Sequence, residues 1–443
     1  MNGRLVVRVS AVMDAQQTER LTVSLEEPPE GGDLLLDVSG TEAPLLGLSA
    51  VSASDDGVAN AGRFVFDQLS RHPQIGAQLG TVGTDAGAAR ALYVLLRGET
   101  LVEEIPWETL CAPNGAFLSL DPGARWPIGR MVQSDGGAGV RTFNPPLRVA
   151  LLLSCLDIPA ADEWERIWEP LSTAAFETRV LVLVSEEALA EQIGALADPR
   201  ITLATVPSEV AELQARVSEF RPHIIHAFCH GERDGGPCLK LAVPSDWHAA
   251  GGPTRSLVLE PSQINLLSNP AEPAWLAVLN CCEVGAPTGT IHSMARDLVE
   301  DGPFAVTIAM REPVEPEDAN TFSRWLYPGI IGSLGQVVGA NGEPTVVDWA
   351  SLTVAARRRL CENHQQGRTF STSARSTREW TRPVLYVRRP QFQLRVDTGA
   401  RMTTADALQL EALRAVLAEV ARLPEDKRAA VRAKIAELEG ASP

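Results

Sequence analysis

No stretch of this 443-residue chain reaches the roughly 18 consecutive apolar residues that a bilayer-spanning helix needs. The opening MNGRLVVRVSAVMD lacks the layout of a secretory signal, because its apolar stretch is short and broken by Arg8. A soluble, cytoplasmic protein with no membrane partner is the expectation. Positive charge is also scarce: 39 Lys and Arg stand against 56 Asp and Glu, a formal net charge of −17. Acidic surfaces repel phosphate backbones, so nucleic acid is not expected as a direct ligand. The basic cluster Arg357-Arg358-Arg359 reads as a solvated helix face. No repeat with a period of about 20 to 50 residues is evident, which argues against a solenoid. The patterns G-x-x-x-x-G-K-[ST], H-E-x-x-H and G-x-S-x-G are absent too. P-loop nucleotide hydrolysis, zincin chemistry and a serine-hydrolase elbow therefore lack support.

What is present suits a large α/β protein. Apolar residues make up 45% of the chain, enough for a sizeable core. LVVRVSAV and RLTVSLEE read as a strand hairpin, and residues 58–79 as one or two helices. FLSLDP and WPIGRMV read as two further short strands. VQSDGGAGVRTFNPP has no periodicity and marks a linker. Beyond it LRVALLLSC, RVLVLVS, HIIHAFCH, WLAVLNCC and AVTIAM are apolar runs of the kind that fill central parallel strands, covered on both faces. EWERIWEPLSTAAF, EVAELQARVSEF and IHSMARDLVEDG alternate with them as helices, the signature of an open sheet with helices on its faces. Residues 404–440 carry two helical patterns separated by Pro424 and read as a hairpin, packed on its own domain or used for self-association. The expected domains are 1–145, a β-rich N-terminal lobe; 146–398, an α/β domain; and 399–443, the helical hairpin.

In open α/β sheets the working residues sit at the carboxyl ends of strands. Two runs end in reactive side chains: HIIHAFCH delivers His230, followed by Gly231 and a flexible loop, and LAVLNCC delivers Cys282. The two lie 52 residues apart, which leaves room for one crossover between parallel neighbours. The seven Cys are an odd number with no secretory signal, so free thiols are expected. A thiol with a pKa of about 8.5 attacks well only as thiolate, and an imidazole can take that proton and return it to a leaving amine. The developing oxyanion needs fixed N–H donors; those of Gly231 and Cys282 are the candidates. A backbone carbonyl can orient the imidazole, so no acidic third member is required. Cys281 is a rival thiol, but strand alternation lets only one of the adjacent pair face His230. His226, four residues before the base, reads as core or as a support to it. A zinc site drawing on His226, Cys229, His230, Cys238, Cys281 and Cys282 is disfavoured, because these residues sit on strands and adjacent Cys281-Cys282 cannot both chelate comfortably. No metal and no cofactor is expected.

Taken in order, these pieces resemble the CHAT family, bacterial caspase-like peptidases grouped with caspases and separase. His226-Ala227-Phe228-Cys229-His230-Gly231 is similar to the family's His-x-x-x-His-Gly strand end, and Cys281-Cys282-Glu283-Val284-Gly285 to its nucleophile segment. Ile105-Pro106-Trp107-Glu108-Thr109-Leu110 with Gly129-Arg130 resembles its N-terminal half, a degenerate caspase-like lobe. MARDLVEDGPFAVTIAM and Trp380-Thr381-Arg382-Pro383-Val384-Leu385-Tyr386 resemble its later helix and closing strand. Val284 stands where the family often has Thr, and Cys281 where it has a small residue. The resemblance covers the chain to about residue 395. It implies a caspase-like open, mostly parallel sheet and a cysteine endopeptidase with Cys282 as nucleophile and His230 as base. Asn280, Glu283 and Asp234 are expected at the substrate pocket; Asn280 stands where basic-specific relatives often carry Asp. The resemblance also implies a latent proteolytic switch in bacterial defence or cell death. Its protein substrate would be a pore-forming or toxin-like protein encoded nearby, and its activator a separate sensor or regulatory protein. The alternative is a catalytically silent scaffold that binds partner proteins through the same fold.

Overall fold

The structure, a computed structural model, describes residues 4–13, 19–28, 30–35, 56–82, 90–96, 100–120, 126–134, 139–233, 237–248, 255–281, 290–340, 342–390, 392–396 and 412. Cys282, Glu283, Val284, Gly285, Asp234 and, apart from residue 412, the expected 404–440 hairpin lie outside the described residues.

Strands β1 (Leu5–Met13), β2 (Glu19–Glu27) and β3 (Glu30–Leu35) form an antiparallel meander. Strands β4 (Leu92–Leu96) and β5 (Ile128–Gln133) add to β1 in parallel. After β6 (Val140–Thr142) come β7 (Leu147–Ser154), β8 (Thr178–Val184), β9 (Ile201–Thr205) and β10 (Ile224–Arg233). Next are β11 (Pro237–Leu241), β12 (Leu257–Leu259), β13 (Leu276–Leu279) and β14 (Val306–Met310). The last are β15 (Thr345–Val346), β16 (Pro383–Arg389) and β17 (Gln393–Arg395). One continuous sheet runs in the order β3-β2-β1-β4-β5-β16-β14-β13-β10-β7-β8-β9, with β11 and β12 attached at β10. The closing strand β16 is the seam: it pairs antiparallel with β14 and parallel with β5, so both halves of the chain share one hydrogen-bonded layer.

Helices cover both faces, as the unbroken apolar runs require. Helices Ala161–Ser172, Pro316–Gly339 and Trp349–Asn363 bury Trp164, Phe322 and Trp349 against one face, where Val149, Leu151, Ile224, Phe228 and Val278 also point. Helices Val210–Phe220 and Thr290–Glu300 cover the other, with Ala150, Leu152, Ile225, Cys229 and Leu279. The architecture is thus α/β, an open and mostly parallel sheet with helices on both faces.

Three expectations need correction. Within the described part of FLSLDP, Phe117 makes only an isolated bridge to Cys111 and Leu118–Leu120 is a turn of 3-10 helix, closed by the Leu120 N–H donating to the Phe117 carbonyl at 3.1 Å. Arg357 is not on a solvated face. It shares a helix face with Val354, Leu360 and Cys361, is fully buried, and donates to the Trp380 and Pro383 carbonyls at 3.0 and 2.5 Å. Third, Gly231 to Arg233 continue β10 instead of opening a flexible loop, since β11 supplies an antiparallel partner.

Candidate active site

The site follows from how the strands are wound. From β7 the chain moves outward to β8 and β9, then returns to lay β10 on the opposite side of β7. The crevice at such a reversal opens at the carboxyl ends of the two strands. Strand β10 stays in register with β7 as far as Cys229 opposite Ser154, and with β13 as far as Ala227 opposite Leu279. His230 is the next residue, where β10 leaves its parallel neighbours for the hairpin with β11. Parity keeps it on the face of Ile224, His226 and Phe228.

His230 is half-buried, and its Nε2 lies 2.8 Å from the carbonyl oxygen of Leu156, just past the end of β7. A carbonyl only accepts, so Nε2 carries the proton and the lone pair of the neutral ring is on Nδ1. The ring is thereby oriented by backbone alone. Leu156 was not singled out from the sequence, because any residue type presents the same carbonyl. Its neighbour Asp157 adopts a left-handed φ of 64°, which helps the chain turn sharply off β7.

The same Nε2 is 3.6 Å from the Sγ of Cys155, a thiol that no sequence pattern singles out. Cys155 is buried, and burial pushes its thiol well above the ordinary range, reinforced by Cys281 and Asp157 nearby. It therefore stays protonated and makes a poor nucleophile. Cys281 is fully enclosed and belongs to the apolar cluster of Ala277, Leu279, Cys229 and Met294, the face opposite Asn280. Cys229 is buried there too, and Cys238 donates its S–H to the Glu232 carbonyl at 3.1 Å.

Gly231 stands opposite Leu239, and Arg233 opposite Pro237. Pro237 has no N–H, so that pair cannot exchange two ladder hydrogen bonds. The Glu232 side chain is held by Lys240 at 3.0 Å.

Asn280, expected at the substrate pocket, is instead fully buried. Its Nδ2 donates to Glu163 Oε1 at 2.8 Å, to the Ala319 carbonyl at 2.9 Å and to Ser323 Oγ at 3.0 Å. A side chain tied inward on three sides has no donor left for a ligand at the edge. His226 is buried beside it, with Nε2 2.9 Å from Glu163 Oε1 but off the line of a well-directed hydrogen bond. Sequence patterning could not have found Glu163, a carboxylate on the buried face of an otherwise amphipathic helix.

A cavity of about 610 Å³ lies at the other edge of the sheet. Arg148, His223 and Trp275 line it, all at the amino ends of β7, β10 and β13. It therefore belongs to no site that includes His230. Among the described residues no cluster of three or more His, Cys, Asp or Glu could hold a metal ion, and no helix is long and apolar enough to cross a membrane.

Neither the protein-family models nor the curated proteins give a match. Among solved structures, the chain is similar to a crystal structure of the Saccharomyces cerevisiae separase–securin complex, with 14% identity and a TM-score of 0.32. The match covers 74% of this chain and 17% of that one. A likeness this slight leaves the chemistry to be argued from the chain's own residues.

Proposed function

We propose that the chain is a cysteine endopeptidase with Cys282 as nucleophile and His230 as base. The observation that carries the reading is the His230 imidazole, fixed through Nε2 by the Leu156 carbonyl at the sheet's reversal point, with its basic nitrogen Nδ1 left for chemistry. Sequence parity supports the choice of thiol, since position 282 is in step with Val278 and Asn280 and out of step with enclosed Cys281.

In this reading Nδ1 takes the Cys282 proton and the thiolate attacks the scissile carbonyl carbon. The oxygen's negative charge is met by the N–H groups of Gly231 and Cys282. The Leu156 carbonyl stabilises the imidazolium, whose Nδ1–H then protonates the leaving amine as the C–N bond breaks. Water, deprotonated by Nδ1, cleaves the thioester and restores the thiol. Glu283 and Asp234 are the proposed pocket residues. The resemblance to CHAT peptidases supports a regulated switch in bacterial defence or cell death. It points to a pore-forming or toxin-like protein substrate encoded nearby and a separate sensor or regulatory protein as activator; self-association through 404–440 rests instead on the two helical patterns of that segment.

The test is incubation of wild-type and Cys282→Ala protein with the products of neighbouring genes, followed by mapping of cleaved bonds by mass spectrometry. Wild type should cut and Cys282→Ala should not; cutting by both sinks the assignment. A thiol-reactive peptide electrophile that fails to label Cys282 in the presence of the native partner would favour a silent scaffold.

A further inference from the structure

We infer that Glu163 is a positioning residue for this dyad, its buried carboxylate tying the strand that carries His230 to the strand that leads to Cys282. The inference rests on the peptidase reading above. Glu163 lies in helix Ala161–Ser172 and is fully buried. Three elements converge on its Oε1: His226 Nε2 of β10 at 2.9 Å, Asn280 Nδ2 at the end of β13 at 2.8 Å, and Ser323 Oγ of helix Pro316–Gly339 at 2.5 Å. His226 precedes the base by four residues and Asn280 precedes the nucleophile by two. At about 3.3 Å per residue along the paired strand β10, a displacement at His226 is carried to His230.

The helix that holds Glu163 starts directly after the segment whose Leu156 carbonyl orients His230. One carboxylate thus meets residues of β10, the end of β13 and the helix Pro316–Gly339. Packing alone would be better served by an apolar side chain, because a buried carboxylate is costly to desolvate. The cluster is also imperfect as a core: Glu163 Oε2, Asn280 Oδ1, the Tyr327 hydroxyl and both His226 ring nitrogens are buried without a well-directed hydrogen bond, so His226 meets Glu163 by close approach alone. Burial, and then the Glu163 charge, push the Tyr327 hydroxyl well above its ordinary range, so it stays neutral beside the carboxylate. Local polar satisfaction is given up here, directly beneath the catalytic edge, as happens where function constrains a site.

The experiment follows alkylation of Cys282 by iodoacetamide in the full chain, resolved by residue with mass spectrometry, from pH 5 to 9 (a range of about four pH units across the thiol's ordinary value). Wild type should show a lowered thiol inflection that His230→Ala returns to the ordinary range. Glu163→Gln, folded by circular dichroism and cooperative unfolding, should lose about tenfold in rate at neutral pH and move its inflection toward that of His230→Ala. The double variant should be no slower than His230→Ala, which shows that Glu163 acts through the base. A folded Glu163→Gln with the wild-type profile overturns the inference while leaving the dyad intact. A wild-type profile that His230→Ala does not change overturns the dyad and the inference with it. If Glu163→Gln does not fold, Ser323→Ala removes one arm of the cluster and is held to the same comparison.

Discussion

Removing the carboxylate of Glu108 should be among the most damaging single changes to stability. Glu108 and Arg130 are almost fully shielded from water, with side-chain exposures of 1% and 0%. The pair is bidentate: Arg130 Nε donates to Oε1 at 3.0 Å and Nη2 to Oε2 at 2.9 Å. Arg130 also donates to the Glu103 and Ile105 carbonyls, at 2.5 and 3.2 Å, and so clamps the Ile105–Leu110 segment onto β5 beside the seam strand β16. Stranding a buried charge by deleting its partner costs about 3–5 kcal/mol. Glu108→Ala should therefore lose about that much in urea unfolding followed by tryptophan fluorescence. Adding Arg130→Met should recover part of the loss, by removing the stranded charge, but not all, because two buried carbonyls lose their donor.

The pH dependence follows from the same pair. Burial pushes the Glu108 carboxyl up, but the charge and hydrogen bonds of Arg130, with Arg357 and Arg311 nearby, outweigh it and hold the group below its ordinary value of 4.5. The unfolded chain then binds the proton first as pH falls, so stability rises with pH across that interval. The stabilising contribution is complete above 4.5 and fades as pH drops through the lower folded value. The gap between wild type and Glu108→Ala should narrow there. A loss below about 1 kcal/mol at neutral pH, or a gap that does not narrow in acid, would refute the reasoning.

Two further outcomes test the packing and the choice of thiol. A Cβ at Gly129 would sit 2.6 Å from Tyr93 Cε1 and 3.2 Å from Leu385 Cδ2, so Gly129→Ala should cost about 1–3 kcal/mol in urea unfolding; an unchanged midpoint would show that β4, β5 and β16 approach less closely. Cys281→Ala should leave the rate of Cys282 alkylation within about twofold, since the enclosed thiol faces the other side of the sheet. Label recovered on Cys281 of the native protein would contradict that placement.

The open α/β sheet was legible because continuous apolar runs such as LRVALLLS and AVTIAM have few other stable homes. His230 was legible too: a His-Gly step at the end of such a run falls at the carboxyl edge whichever way the strands are ordered. Asn280 misled, because its place two residues before Cys282 predicts a face and not a depth. Its burial depends on helices Ala161–Ser172 and Pro316–Gly339 arriving above it from distant parts of the chain. The FLSLDP segment misled for a local reason, since a four-residue apolar pattern fits either a strand or a 3-10 turn.

By itself the sequence determined the strand and helix periods, the acidic surface and a short list of thiols and imidazoles, since each follows from side-chain chemistry and local spacing. Only the tertiary structure decided which groups meet. The order of strands brought the Leu156 carbonyl to His230 and drew Glu163, His226 and Asn280 into one buried cluster. Those contacts span 74, 63 and 117 residues of chain. Separations of that length are closed by the packing of whole layers, and no local pattern encodes them.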